Sequence, residues 1–228
     1  MATVIKLGSL LLDGAYAKPG AEYYPHQIIS FGGENSLSWV VVDGRLIADR
    51  PLLVNISWDD LELQHLVFGK PMTVNGQKFL CRLLKVGTKD GDPNEWDSTL
   101  DVLGEETHLW HWENCFFWGQ ENTGRGCFLA RGWIHTFPED RDARLGFRPT
   151  LVPISSDNLF TGMSVCAIGG QSILYGELLE ATAYDAVIKP ETTTFLAESD
   201  KGKFYTQFSD GSIIIDRNQM AIQTIREE

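Results

Sequence analysis

The chain has 228 residues, of which 43% are hydrophobic and 22% charged, so it can bury a substantial core and has neither a disordered nor a fibrous composition. Its formal net charge of −12 argues against direct binding of nucleic acid through a broad basic face. No stretch approaches the roughly 20 apolar residues that span a bilayer, and residues 1–20 fit a strand better than a signal peptide, so we expect a cytoplasmic protein without a membrane partner.

Strand patterns fill most of the first 86 residues. An Asp-Gly dipeptide separates two apolar runs in the predicted hairpin 39–48. Ser57 is expected to cap a short helix for which Leu61, Leu63 and Leu66 supply apolar contacts. An Asn-Gly dipeptide then marks a second hairpin, and its second arm, 79–86, is predicted to be a central strand.

The segment after Gly87 combines a polar loop, a helix start and most of the tryptophans. The run 94–97 opens a predicted helix that ends at Gly104. Five of the seven tryptophans lie between residues 96 and 133, which is typical of a stretch that builds the core.

Beyond the aromatic stretch the composition changes, with more Gly, Ser and Thr and no tryptophan. The runs 173–179 and 184–188 are predicted strands, and 203–216 contains a third Asp-Gly hairpin. We therefore expect a core formed by residues 1–154, with N-terminal β-hairpins, and a β-rich extension formed by 155–228 that packs on it.

Short motifs in the middle third carry a family resemblance. Arg-Gly-Trp at 131–133 is followed by further arginines and then by Gly-Phe-Arg-Pro at 146–149, while Glu-Trp at 95–96 opens a helix upstream. This order resembles the closing signature of formylglycine-generating-enzyme (sulfatase-modifying factor) domains, over roughly residues 75–152. The chain is also similar to uncharacterised proteins of gut bacteria and their prophages that end in a Gly-Phe-Arg-Pro strand.

The resemblance implies an α+β, β-rich fold, with a C-type-lectin-like core of the formylglycine-generating-enzyme type and short helices. In such a fold the arginines are expected to donate to carbonyls at loop crossings, with aromatic side chains beneath them. The positions assigned to this structural signature are Glu95, Trp96, Arg131, Trp133, Phe147 and Arg148.

The cysteines separate this chain from the catalytic members of that family, in which an activating pair lies a few residues apart near the end of the domain. Cys115 and Cys127 are too far apart and too early, and Cys166 stands alone. We therefore expect no enzyme activity and no cofactor. All four cysteines, including Cys81, are expected to be reduced thiols, with a Cys115–Cys127 disulfide as the alternative.

Metal and sugar sites are weaker alternatives. Imidazole and thiolate ligands suit zinc, but the spacing of the candidate residues matches no standard finger, so no metal is expected. These candidates are His108, His111, Cys115 and Cys127. Glu113 and Glu121 lie beside tryptophans, as in sugar-binding sites, although a tryptophan-rich core explains the same pattern.

The first functional hypothesis is a non-catalytic protein that recognises a partner protein through loops held on a rigid frame. Three polar loops are candidates for this contact, 88–93, 122–126 and 136–144. Their candidate binding residues are Asp90, Asp92, Asn122, Arg125, Arg141 and Arg144.

The alternative hypothesis rests on charge. An acidic surface can imitate the phosphate backbone and compete for a basic cleft. On this reading the chain is a phage-encoded inhibitor of bacterial defence, of the anti-CRISPR kind, whose partner is a basic host nuclease or nucleic-acid-binding complex. A homo-oligomer is compatible with both hypotheses.

Overall fold

The computed structural model describes residues 2–89, 91–111, 115–122, 127–129 and 135–225, with the backbone alone for 127–129 and for residue 135. The strands of the first half are β1 (Thr3–Lys6), β2 (Ser9–Leu12), β3 (Ala15–Ala17), β4 (Ala21–Glu22), β5 (Ile29–Gly32), β6 (Ser38–Val42), β7 (Arg45–Ala48), β8 (Leu53–Val54), β9 (Lys70–Val74) and β10 (Gln77–Arg82). Those of the second half are β11 (Phe116–Asn122), β12 (Cys127–Leu129), β13 (His135–Thr136), β14 (Leu145–Phe147), β15 (Thr150–Pro153), β16 (Ser164–Gly169), β17 (Ser172–Ala181), β18 (Asp185–Pro190), β19 (Tyr205–Gln207), β20 (Ile213–Asp216) and β21 (Ala221–Thr224). The helices are α1 (Trp58–Leu63), α2 (Glu95–Leu103) and α3 (Thr107–Trp110), with a 3₁₀ turn at Glu198–Asp200.

The first sheet has the strand order β1-β6-β7-β15-β10-β9, and all its neighbouring strands are antiparallel. It is covered on both faces. Trp39 and Val41 lie in the main core, whereas Val40 and Val42 pack into a smaller core that α2 and α3 cover. The continuous apolar run at 39–42 therefore belongs to a strand that is buried on both faces.

Two of the predicted hairpins are confirmed in this sheet. Asp43 and Gly44, with φ of 48° and 69°, join β6 to β7, and Asn75 and Gly76, with φ of 48° and 74°, join β9 to β10. Two successive positive φ values give a turn whose twist matches that of the paired strands, and Asp-Gly and Asn-Gly adopt it readily. β10 lies between β15 and β9, so the predicted central strand is also confirmed, although it begins and ends a few residues earlier than 79–86.

Two helices begin at the residues that the sequence indicates. The Ser57 hydroxyl accepts from the Asp60 N–H and the Asp60 carboxylate accepts from the Ser57 N–H, which is a reciprocal cap of α1. Asn94 caps α2 through the Asp97 N–H, and Gly104 ends it with φ of 78°. The longest helix within the described ranges, α2, has nine residues, so no described helix reaches across a bilayer.

The second sheet is mixed and the third is antiparallel throughout. The second, with the order β13-β12-β11-β14-β8-β4, contains two parallel pairs, β11 with β14 and β4 with β8. The third, with the order β19-β20-β18-β17-β16-β21, is drawn from residues 164–224 alone and includes the predicted 203–216 hairpin. A three-stranded sheet, β3-β2-β5, completes the fold.

The third sheet buries one face in its own core and the other against the rest of the molecule. Val165 and Leu174 belong to the first of these cores, whereas Cys166, Ile168 and Ile173 reach into the main one. Hydrogen bonds also link the two parts, among them the Lys78 N–H to Gln223 Oε1 at 2.6 Å and the Gly44 N–H to the Gly170 carbonyl at 2.9 Å. The boundary between residues 154 and 155 stays a prediction.

The predicted fold class is wrong. An α+β protein with a C-type-lectin-like core was expected. Of the described residues, however, 43% are in strands and 11% in helices, and they form four sheets of no identified fold family. The helices have six, nine and four residues and only cover the sheets. The signature residues constrain packing around one buried arginine and do not specify which distant strands pair, so they could not fix the fold.

Candidate functional site

Arg148 lies at the centre of the signature residues that the structure describes. Its side chain is 1% exposed, and its Cζ lies 4.8, 5.1 and 5.9 Å from the ring centroids of Phe117, Trp96 and Trp110. Nη2 donates to the Trp110 carbonyl at 2.7 Å. Because the aromatic faces attract a desolvated cation, this contact stabilises the core that covers the first sheet. Phe147 is also fully buried, in the main core.

Glu95 joins α2 to the first sheet. Its carboxylate receives two hydrogen bonds from Arg82, at 2.7 and 2.8 Å, lies 2.6 Å from Arg45 Nη1 and accepts from the Lys85 N–H at 2.9 Å. Burial by itself raises the pKa of Glu95, but these donors and charges outweigh it and hold the pKa below its usual value. Glu95, Trp96, Phe147 and Arg148 thus lie inside the molecule, where they build the fold.

The predicted binding residues are separated by the structure. Asp92 accepts hydrogen bonds from the Thr88 N–H and hydroxyl at 3.0 and 2.8 Å and so closes its own loop, while Asn122 ends β11. Neither lines the cleft in which Arg141 and Arg144 lie. The remaining candidates, Asp90, Arg125, Arg131 and Trp133, fall outside the described residues.

Arg141 and Arg144 line a cleft of about 390 Å³ together with Phe116 and Leu145. The loop beside it, 136–144, is held by its own side chains. The Asp140 carboxylate accepts from the Phe137 N–H at 3.0 Å and from the Thr136 hydroxyl. Short polar side chains that close such turns fix the loop without burying it.

The same loop ends in a second carboxylate–backbone motif. Asp142 accepts from the Arg144 N–H at 2.8 Å and from its guanidinium at 3.0 and 3.1 Å. The hydrogen bonds from Arg144 lower the pKa of Asp142 to about 2. The Arg144 side chain is 71% exposed, so its remaining donors face solvent.

An ion pair fastens this loop to α1. Arg141 Nε and Nη2 donate to the two carboxylate oxygens of Asp60, both at 2.8 Å, and the Asp59 N–H donates to the Pro138 carbonyl at 3.1 Å. Burial raises the pKa of Asp60, but hydrogen bonds from Arg141 and Ser57 outweigh it and leave the pKa lowered. Arg141 therefore braces the loop, and Arg144 is the arginine that it displays.

Large apolar side chains on this loop, on α1 and on the segments next to α1 are exposed to solvent. Leu63 is 78% exposed and shares a small cleft with Ile28 and Asp60, and Phe137, on the braced loop, is 63% exposed. Phe68 is also exposed and packs edge to face on Trp58, with ring centroids 6.2 Å apart. We define the loop-and-helix surface as Ile28, Leu63, Phe68, Phe137 and Arg144.

The sequence reasoning missed the apolar part of this surface. It grouped Leu63 with Leu61 and Leu66 as residues that supply apolar contacts, and Leu61 and Leu66 are indeed fully buried. Successive helical residues are about 100° apart, so Leu63 lies roughly 200° from Leu61 and points away from the core. That spacing is the signal that would have identified Leu63.

The geometry of the described residues does not support a metal site or a sugar site. In the described residues no group of three or more His, Cys, Asp or Glu side chains could hold a metal ion. His108 Nε2 lies 3.0 Å from Glu106 Oε2, and His111 Nε2 lies 3.5 Å from Asp49 Oδ2. Trp118, which would have to face a sugar, is fully buried and donates to the Ile56 carbonyl at 2.7 Å.

Two thiols are buried in the core. Burial raises the pKa of Cys81 to about 12 and raises that of Cys166 further, so neither is a nucleophile at neutral pH. The Cys115–Cys127 disulfide stays an open alternative because the Cys127 side chain lies outside the described residues.

No family model, no curated protein and no solved structure matches this chain. The resemblance to formylglycine-generating-enzyme domains therefore stays a prediction from short motifs, and the function has to be argued from the geometry.

Proposed function

We propose that this protein recognises a partner protein without catalysis, through the loop-and-helix surface. The observation that carries the proposal is the exposure of Leu63 and Phe137 on the helix and the loop that the Arg141–Asp60 ion pair joins. Ile28 and Phe68 are exposed on segments next to that helix. Large apolar side chains exposed among polar ones are typical of protein interfaces, and aromatic residues and arginine are enriched among those that contribute most to affinity.

The bracing supports recognition in a second way. A loop that is already ordered by Asp140, Asp142 and Asp60 loses little conformational entropy when a partner binds. Phe137 and Leu63, as anchors on that frame, should each contribute about 2 kcal/mol or more to the binding free energy.

The proposal is tested by quantitative affinity capture from a bacterial lysate, comparing the wild-type protein with a Leu63→Ala/Phe137→Ala variant. Phe160→Ala is the matched control, since Phe160 is as exposed as Phe137 but is not part of the loop-and-helix surface. We expect a protein that the wild type and the control enrich and that the double variant loses. Equal enrichment by all three proteins would contradict the proposal.

The acidic-inhibitor hypothesis has its own supporting observation at α2. Asp97, Asp101 and Glu105 lie close together there, and burial, followed by the charges of Asp101 and Glu105, raises the pKa of Asp97. A negative cluster of this kind favours a basic partner such as a nuclease. Affinity for such a partner should fall steeply with salt, whereas binding through the apolar surface should not.

A further inference from the structure

The open edge of the first sheet borders a cleft of about 930 Å³. β1 forms one wall, the end of α2 and α3 form the second, and the segment around the 3₁₀ turn forms the third. The lining residues are Ala2 and Val4; Val102, Leu103, Glu106, His108 and Leu109; and Gln171, Ala197, Glu198 and Ser199. Within the described residues β1 pairs with β6 alone, so its other edge has no strand beside it.

The backbone groups that face this edge follow from the register. Ile5 lies opposite Trp39, and the next inward-facing residue, Leu7, donates its N–H to the Leu37 carbonyl at 3.0 Å. In an antiparallel pair, alternate residues direct both backbone groups to the same neighbour. Val4 and Lys6 therefore direct their N–H and C=O groups outward, to the open edge.

The walls of the cleft are apolar near β1, and hydrogen bonds hold the far wall in place. Val4 is 41% exposed and Val102 is 49% exposed, so both present apolar surface to the cleft. On the far wall the buried Asp200 carboxylate accepts from the Gln171 N–H and the Ser172 hydroxyl, both at 2.7 Å. A preformed cleft of this kind suits a ligand that binds in one extended conformation.

The rim of the cleft is acidic. Glu106 and Glu198 line it, and Glu105 precedes Glu106 on the exposed end of the helical wall. Lys201, 3.5 Å from Glu198, and Lys6 on β1 offset only part of this charge. Charge complementarity therefore favours a basic occupant.

We propose that an extended, basic segment of a partner protein adds as a strand to β1. Its backbone pairs with Val4 and Lys6, its apolar side chains pack on Val4 and Val102, and its basic side chains lie near Glu106 and Glu198. This contact lies outside the loop-and-helix surface, so it holds or fails independently of the function proposed there.

The probe is a capped peptide of alternating valine and lysine, about six residues long, which extends over about 20 Å. Its binding is measured by fluorescence anisotropy on the full-length protein. Val4→Pro removes the outward donor while leaving the inward ladder, and edge strands tolerate proline. We expect it to weaken binding about tenfold or more, as loss of a strand-addition hydrogen bond and close packing predicts.

Thr73→Pro is the matched control. Asn75-Gly76 is a two-residue turn, so Val74 and Gln77 form its hydrogen-bonded pair and Thr73 directs its N–H outward on β9, the opposite edge of the same sheet. This variant should bind the peptide as the wild type does. Equal binding by Val4→Pro and the wild type would overturn the proposal.

Charge is tested separately. A peptide with glutamate in place of lysine should not bind, and Glu106→Gln/Glu198→Gln should weaken binding of the lysine peptide, whereas Glu177→Gln, at an exposed β17 residue outside the cleft, should not.

Hydrogen exchange of the wild type gives a readout that needs no variant to fold. The Val4 and Lys6 amides should become protected when the peptide is added. Unchanged exchange there, or protection by a second copy of the chain in concentrated protein without peptide, would contradict the assignment.

Discussion

Arg141 and Asp60, 81 positions apart in the sequence, meet in a two-pronged ion pair in which both N–O distances are 2.8 Å. Asp60 also belongs to the N-terminal cap of α1, through Ser57. One carboxylate therefore fixes a helix end and the displayed loop together. Disturbing this pair should change the stability of the protein and the order of the loop.

Arg141→Ala should lower the free energy of unfolding by about 1–3 kcal/mol, because it leaves a buried carboxylate without its main donor. This loss of unfolding free energy is smaller than for a fully buried ion pair, because the Arg141 side chain is 37% exposed. Arg144→Ala, which removes a solvent-exposed ion pair, should cost much less than Arg141→Ala. Urea unfolding of the three proteins checks this, and equal losses in the two variants would refute the bracing role.

Acid should destabilise the protein through Asp60 and Glu95. Their pKa values in the folded state are lowered from the ordinary 3.8 and 4.5, so the stability they contribute is present above those values and is lost as the pH falls through the folded pKa. We expect a nearly constant free energy of unfolding from neutral pH to about pH 5, and a decline below about pH 4.5.

The Arg141→Ala variant separates the contribution of Asp60 to this acid effect. Its stability should decline less between about pH 4.5 and pH 3 than that of the wild type, because Asp60 has lost the donor that lowers its pKa. Asp97, whose raised pKa has no contribution from Arg141, affects both proteins alike. The charge of Arg141 partly offsets the raised pKa of Asp59, so losing Arg141 changes the acid dependence through Asp59 in the same direction as through Asp60. Parallel curves for the two proteins would show that the ion pair contributes nothing to the pH dependence.

Arg148→Ala should cost about 3 kcal/mol or more, because it removes a cation packed among Trp96, Trp110 and Phe117 and leaves a cavity between them. Arg148→Lys should recover only part of this loss, since an ammonium lacks the planar face that the rings contact. Urea unfolding gives the energies, and near-ultraviolet circular dichroism reports the tryptophan packing. Wild-type stability of Arg148→Lys would show that charge alone is needed.

A chain that ends at residue 154 should aggregate. It would lose the cover that Cys166, Ile168 and Ile173 provide to the main core, and the Lys78 N–H would lose its Gln223 acceptor. Size exclusion with light scattering checks this expectation. A monomeric, cooperatively melting 1–154 chain would instead make the third sheet an independent module.

Local features were predictable from the sequence and long-range ones were not. The 39–48 hairpin and the start of α2 follow from turn and cap residues that act on their immediate neighbours. The insertion of β15 between β7 and β10 joins segments about 70 and 100 residues away, and no short motif encodes such a pairing. The predicted fold class was therefore wrong, although the predicted hairpins form.

The site shows the same division. The sequence named Arg141 and Arg144 because both lie in a polar loop, but it could not distinguish them. Only the approach of Asp60 from α1 makes one arginine a brace and leaves the other at the surface. Phe137 and Leu63 were not predicted because exposure depends on what the fold fails to cover.

The two edges of the first sheet are chemically unequal. On β9, Pro71 occupies an outward-facing position and has no N–H to offer, whereas β1 presents ordinary residues at the corresponding positions. The β9 edge therefore offers one outward donor fewer, with Thr73 as its remaining outward N–H. This makes β9 a poorer edge than β1 for a further strand, which disfavours growth of this sheet into fibrils.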